Sequence, residues 1–77
     1  MQADTPGRTD TIDIVVNGEP RSVPAGTSLL GLLRLLELDP ARVAVEFDRR
    51  IVKQPLWDST PLAEGSAVEI VQFVGGG

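Results

Sequence analysis

The sequence predicts an α+β domain: a mixed sheet of four to five strands with one main helix packed across one face. Three observations predict it. The β-branched run TIDIVV, Thr11 to Val16, leads into Asn17-Gly18 and a returning strand. Asn-Gly is the strongest short hairpin signal, because both residues accept the positive φ of a type I′ turn. A leucine-rich stretch, SLLGLLRLLEL, then spans Ser28 to Leu38, and three further strand-like runs follow it. A hairpin, a helix and more strands in 77 residues are too few for a layered parallel α/β fold. They suffice for one twisted sheet with a helix across one face.

Each element has a local reason. Residues 1–10 carry Pro6, Gly7 and mostly polar side chains and are expected to be a disordered leader. The domain proper is expected to span residues 11–74. Glu19 to Val23 returns from the Asn17-Gly18 turn. Pro20 lies in that strand, so the strand belongs at a sheet edge, where a missing N–H is harmless. Thr27 or Ser28 offers a hydroxyl to cap the helix. Leu29, Leu32, Leu33 and Leu36 repeat at helical spacing and should meet the sheet. Leu30 and Leu35 fall outside that stripe; helix propensity accounts for them, and an apolar contact surface is the alternative. Asp39-Pro40 should end the helix, since Pro disfavours helical geometry in the residue before it.

Val43 to Phe47 alternates, with Val43, Val45 and Phe47 expected inward and Glu46 outward. Asp48-Arg49-Arg50 should turn the chain into a short strand, Ile51 to Lys53. Gln54 to Leu62 holds Pro55, Trp57 and Pro61 and reads as irregular backbone, with Trp57 buried beneath it. Ala67 to Val74 is the last strand. Val68 and Ile70 should face in, and Glu69, Val71 and Phe73 the other way. This strand is expected to pair parallel with the first one, in the sheet centre. The helix would cover one face and leave Val71 and Phe73 on the open one.

Composition narrows the function. The net charge is −4, which disfavours nucleic acid as a partner, because phosphate contacts need clustered Lys and Arg. The one basic cluster, Arg49, Arg50 and Lys53, is explained by a solvated turn. No apolar stretch approaches the ~20 residues that span a bilayer, and the N-terminal residues lack a signal-peptide core. A soluble cytoplasmic protein with no membrane partner is expected. With no Cys and no His, thiolate nucleophiles, the usual zinc sets and His acid–base chemistry are absent. The chain is expected to be a substrate or carrier, not an enzyme, and to bind no cofactor or metal itself.

Residues Val43 to Gly77, with Ile51-Val52, Trp57, Leu62, Glu64-Gly65 and the final Gly76-Gly77, resemble the thiamine-biosynthesis sulfur carrier (ThiS) family, of ubiquitin-like β-grasp fold. Asn17-Gly18, Pro24-Ala25-Gly26-Thr27 and the leucine-rich helix fit as well. The resemblance covers about residues 11–77. Asp48 stands where the family often has Asn, and Lys53-Gln54 where it often has Pro-Arg. The small subunit of molybdopterin synthase is a sibling, but its tail carries prolines that "VQFVGGG" lacks.

The resemblance implies a mechanism. A ThiF-like adenylating enzyme uses MgATP to convert the Gly77 carboxylate into an acyl-adenylate. Sulfur from a donor protein such as a cysteine desulfurase then replaces AMP, leaving a thiocarboxylate. Thiazole synthase takes that sulfur for the thiazole ring. The residues suit these demands. Without Cys, sulfur cannot ride as a thiol or persulfide. Gly75, Gly76 and Gly77 form a flexible tail with no Cβ, slim enough for a narrow channel. Val71 and Phe73 are the candidate docking residues, a satellite core being the alternative for Phe73. The same features fit a carrier for another pathway (molybdopterin, tRNA thiolation, cysteine) or a ubiquitin-like protein modifier. A β-grasp binding module with an incidental Gly tail is a further alternative.

Overall fold

The computed structural model describes residues 10–73. The expected leader, apart from Asp10, lies outside these residues, as do Val74 and the tail residues Gly75, Gly76 and Gly77. The strands are β1 (Thr11–Val16), β2 (Glu19–Pro24), β3 (Val43–Phe47), β4 (Arg50–Val52) and β5 (Ala67–Gln72), with one helix, α1 (Leu29–Leu35). Single 3-10 turns occupy Pro40–Arg42 and Gln54–Leu56. The five strands form one mixed sheet in the order β2-β1-β5-β3-β4. β5 runs parallel to β1 and antiparallel to β3, so the last strand is central, as its sequence suggests.

The hairpin forms as its turn residues dictate. Asn17 and Gly18 both have positive φ, 51° and 82°. Pro20 sits opposite Val15 on edge strand β2. The Val15 N–H donates to the Ser66 carbonyl, on the β5 side. Val15 and Pro20 therefore form a non-hydrogen-bonded pair, and the missing N–H of Pro20 faces outward.

The helix buries Leu29, Leu32 and Leu33 against Ile14, Val45 and Val68, all at most 2% exposed. Each such side chain contributes about 1.5–3 kcal/mol by leaving water. Leu36 and Leu30 are partly buried against this core, whereas Leu35 is exposed. The start of α1 is fully satisfied. Leu29 N–H donates to the Thr60 carbonyl, Leu30 N–H to the Trp57 carbonyl, and Gly31 N–H to the Ser28 hydroxyl. Ser28 is thus the cap, and the 57–62 connection is tied to the helix it crosses.

The helix is shorter than the expected Ser28 to Leu38. It ends at Leu35 because Glu37 takes a left-handed φ of 59°. Leu38 N–H then donates to the Leu33 carbonyl and Glu37 N–H to the Arg34 carbonyl, the paired bonds of a Schellman motif. That motif normally carries Gly at the left-handed position, so Glu37→Gly relieves a steric cost. We expect a gain of roughly 0.5–1 kcal/mol after the greater chain entropy of Gly is counted. A thermal melt raised by a few degrees checks this.

β4 is also displaced from its expected place, by one residue. Asp48 and Arg49 both have positive φ, 49° and 73°. They form a two-residue turn that brings Arg50 opposite Phe47 and Ile51 opposite Glu46. Asp48 also fastens this turn to β5: its N–H donates to the Ala67 carbonyl, and its carboxylate accepts from Ala67 N–H.

Candidate functional site

The site follows from how β5 is held and what it leaves uncovered. Alternation along β5 puts Val68 and Ile70 in the core and Glu69 and Val71 on the face away from the helix. Val71 is 60% exposed, and Phe73, one residue beyond the strand, is 54% exposed. Both expected docking residues are thus exposed, and the satellite-core alternative for Phe73 is not what the structure adopts. Phe73 N–H still donates to the Arg42 carbonyl at 2.7 Å, so the backbone is directed up to that residue.

Two further features position this exit. β1 ends at Val16, yet its pairing with β5 continues through a side chain. The Asn17 amide oxygen accepts from Ile70 N–H at 2.7 Å, and its NH2 donates to the Ile70 carbonyl at 3.2 Å. A primary amide has one acceptor and one donor edge, like a peptide group, so Asn17 extends the ladder by one rung. The 63–66 turn is fixed from the other end of β1. Gly65 N–H donates to the Asp13 carbonyl, and Asp13 N–H donates to the Glu64 carboxylate. Gly65 has φ +83°, which explains its residue type. Glu64-Gly65 and Asn17 are therefore structural positions that set where β5 starts and leaves.

Trp57 is 3% exposed, and its indole N–H donates to the Val52 carbonyl at 2.7 Å. It seals the core beneath the connection between β4 and β5. Ile51, on β4, is 77% exposed and shares the open face with Ala44, Glu46, Glu69 and Val71, around a shallow depression of about 230 Å³. Sequence reasoning missed Ile51. Its signal was the alternation of β4 against β3, legible only once the turn is placed at Asp48-Arg49. Among the described residues, no three His, Cys, Asp or Glu side chains gather as a metal site. No helix among them is long and apolar enough to cross a membrane. Gly77, the expected sulfur-attachment residue, and the expected tail residues Gly75 and Gly76 lie beyond the described residues.

Comparison with known proteins bears on this arrangement. The ThiS family model matches residues 14–77. A thiazole synthase from Magnetococcus marinus is 42% identical over 64 residues, which are 83% of this chain. The chain spans only 20% of that relative's length. The uncharacterized protein ycf40 of Porphyra purpurea is 36% identical over 66 residues, covering 86% of this chain and 93% of that protein. Among solved structures, the thiamine biosynthesis protein ThiS from Geobacter metallireducens superposes with a TM-score of 0.74 at 30% identity. The match covers 86% of this chain and all of that one. Sheet order, helix placement and these matches agree on a ubiquitin-like β-grasp, and the chain belongs to the ThiS family.

Proposed function

We propose that the chain carries sulfur for thiazole formation in thiamine biosynthesis, as a thiocarboxylate on Gly77. The observation that carries this reading is the family match, which runs through to Gly77. Relatives named thiazole synthase contain a segment like this chain, which supports a thiazole synthase as the protein that consumes the sulfur. The reading requires Gly77 to close the mature chain.

The chemistry places few demands on this protein and many on its partners. A carboxylate is a poor acyl donor, because its charge resists nucleophilic attack. A ThiF-like enzyme with MgATP converts it to an acyl-adenylate and releases pyrophosphate. The outer sulfur of a persulfide, held by a donor such as a cysteine desulfurase, attacks the acyl carbon, and AMP leaves with the bonding pair. A thiol then cleaves the acyl disulfide, yielding the thiocarboxylate and a mixed disulfide. In this scheme the chain is a protein substrate. It binds no cofactor and supplies reach and a docking surface. From Phe73 to Gly77 the chain can extend about 13–14 Å, at ~3.3–3.6 Å per residue.

Val71 and Phe73 form the apolar part of the docking surface at the base of that reach. Phe73→Ala is expected to weaken binding to the adenylating enzyme by at least about 1 kcal/mol, as for an aromatic interface anchor. The unfolding midpoint should stay near wild type, since the ring is already 54% exposed. Unchanged affinity in a calorimetric titration would rule this role out. The whole reading is tested by pyrophosphate exchange into ATP, catalysed by the adenylating enzyme. Exchange should depend on added carrier. No carrier-dependent exchange with a demonstrably active enzyme would contradict the proposal.

A further inference from the structure

Asn17-Gly18 does two things in this fold. It turns the first hairpin, and its side chain pins the last strand. The Asn17 amide oxygen accepts from Ile70 N–H at 2.7 Å, and its NH2 donates to the Ile70 carbonyl at 3.2 Å. The same dipeptide is chemically fragile. When an asparagine amide is free, the backbone nitrogen of the next residue can attack its side-chain carbonyl carbon, and glycine hinders that approach least. Solvent reaches the pair: Asn17 is exposed, and a Cβ added at Gly18 would meet open space. What restrains the reaction is the pairing with Ile70. Both polar ends of the amide are engaged by β5, and the Asn17 backbone is held at φ 51°. The side chain must release Ile70 before its carbonyl carbon can swing to the Gly18 nitrogen.

We propose that Asn17-Gly18 is a deamidation site, that the pairing with Ile70 holds it closed, and that its conversion unpins the end of β5. The step needs only base and water. Base removes the Gly18 N–H proton, and the nitrogen attacks the Asn17 side-chain carbonyl carbon. The bond to the amide nitrogen breaks, ammonia leaves with a proton from solvent, and a cyclic imide closes. Water then opens the imide at one carbonyl or the other, giving aspartate or isoaspartate; nothing is oxidised or reduced. Either product has a carboxylate in place of the NH2 donor, with no proton to give the Ile70 carbonyl. Two oxygens then face each other where a rung of the ladder stood. Isoaspartate also lengthens the backbone of a two-residue turn, and that turn sets the hairpin register. The damaged side chain cannot re-form the guard, so the change is one-way. Ile70 is the last buried residue of β5, so the lost rung is the one that steers the strand just before it leaves the core.

The test uses the full chain, in which Asn17 is the single asparagine, aged in mildly alkaline buffer. Peptide mapping by mass spectrometry follows the replacement of NH2 by OH at Asn17, and amide hydrogen exchange follows Ile70 N–H in the same sample. Deamidation should be slower in the native chain than in denaturant by roughly tenfold or more, the scale set by two hydrogen bonds. Within the native state, small additions of denaturant should speed deamidation and Ile70 exchange by the same factor. Equal deamidation rates in folded and unfolded chain would overturn the proposal. So would an Asn17 that stays intact while Ile70 exchanges freely, or one that reacts while Ile70 stays protected. N17D supplies the milder product, and aspartate accepts a left-handed φ, so the variant should fold. It should melt several degrees below wild type. A melting temperature equal to wild type would overturn the consequence for β5.

Discussion

Removing Gly77 is expected to abolish sulfur transfer while the domain stays folded. The proposed acyl group is then carried by Gly76, one residue back. That withdraws the carboxylate by about 3.3–3.6 Å. Group transfer between positioned reactants is far less tolerant than that, since a misplacement near 1 Å can cost on the order of a hundredfold in rate. Adding a residue after Gly77 should be as damaging, because it pushes the terminus past the reacting position. Neither change touches the core: the buried cluster runs from Ile14 to Ile70, and Phe73 is the last described residue. Sulfur transfer to a thiazole synthase, followed alongside the unfolding curve, checks both halves. Normal transfer by either variant would defeat the proposed role of Gly77.

Trp57→Ala is expected to destabilise the domain by roughly 3–5 kcal/mol, as for a buried aromatic truncated in a core. The ring is 3% exposed and its N–H donates to the Val52 carbonyl. Truncation leaves a void under the connection and removes that carbonyl's partner. The loss is a large fraction of the stability of a small domain, about 5–15 kcal/mol, so the variant should unfold at a much lower denaturant concentration. Trp57→Phe keeps the ring and loses the donor, and should cost less than the alanine change. Circular dichroism is the suitable probe, because Trp57 is the single tryptophan and its fluorescence disappears with it. An alanine variant with a midpoint close to wild type would contradict the burial of the ring.

Much of this architecture was legible in the residues. Asn17-Gly18 marks the first hairpin, the leucine stripe marks the buried side of the helix, and alternation in VAVEF and AVEIVQ assigns both faces of the sheet. What escaped has physical causes. The helix end at Glu37 is hidden because Gly, the usual signal for a left-handed residue, is absent. The β4 register shifts because Asp48-Arg49 makes a tight turn without glycine, Arg49 taking a φ that L-residues rarely adopt. That shift is what places Ile51 on the open face. The Asn17–Ile70 pairing joins residues 53 apart in sequence, so Asn17 reads locally as a turn residue and nothing more. Glu46 and Glu69 meet only through the β3–β5 register. The role proposed for Gly77 is legible chiefly through the resemblance of the motifs before it.

In the proposed function Gly77 ends the mature chain and carries sulfur there. Intact-mass measurement on the native protein, purified from cells making thiamine, with fragmentation of its C-terminal peptide, tests it most directly. The expected result is a species in which one oxygen of the Gly77 carboxylate is replaced by sulfur, and its return to carboxylate after incubation with thiazole synthase and its substrates. A C-terminal peptide that extends past Gly77, that is joined to lysines of other proteins, or that is never thiolated in such cells would contradict it.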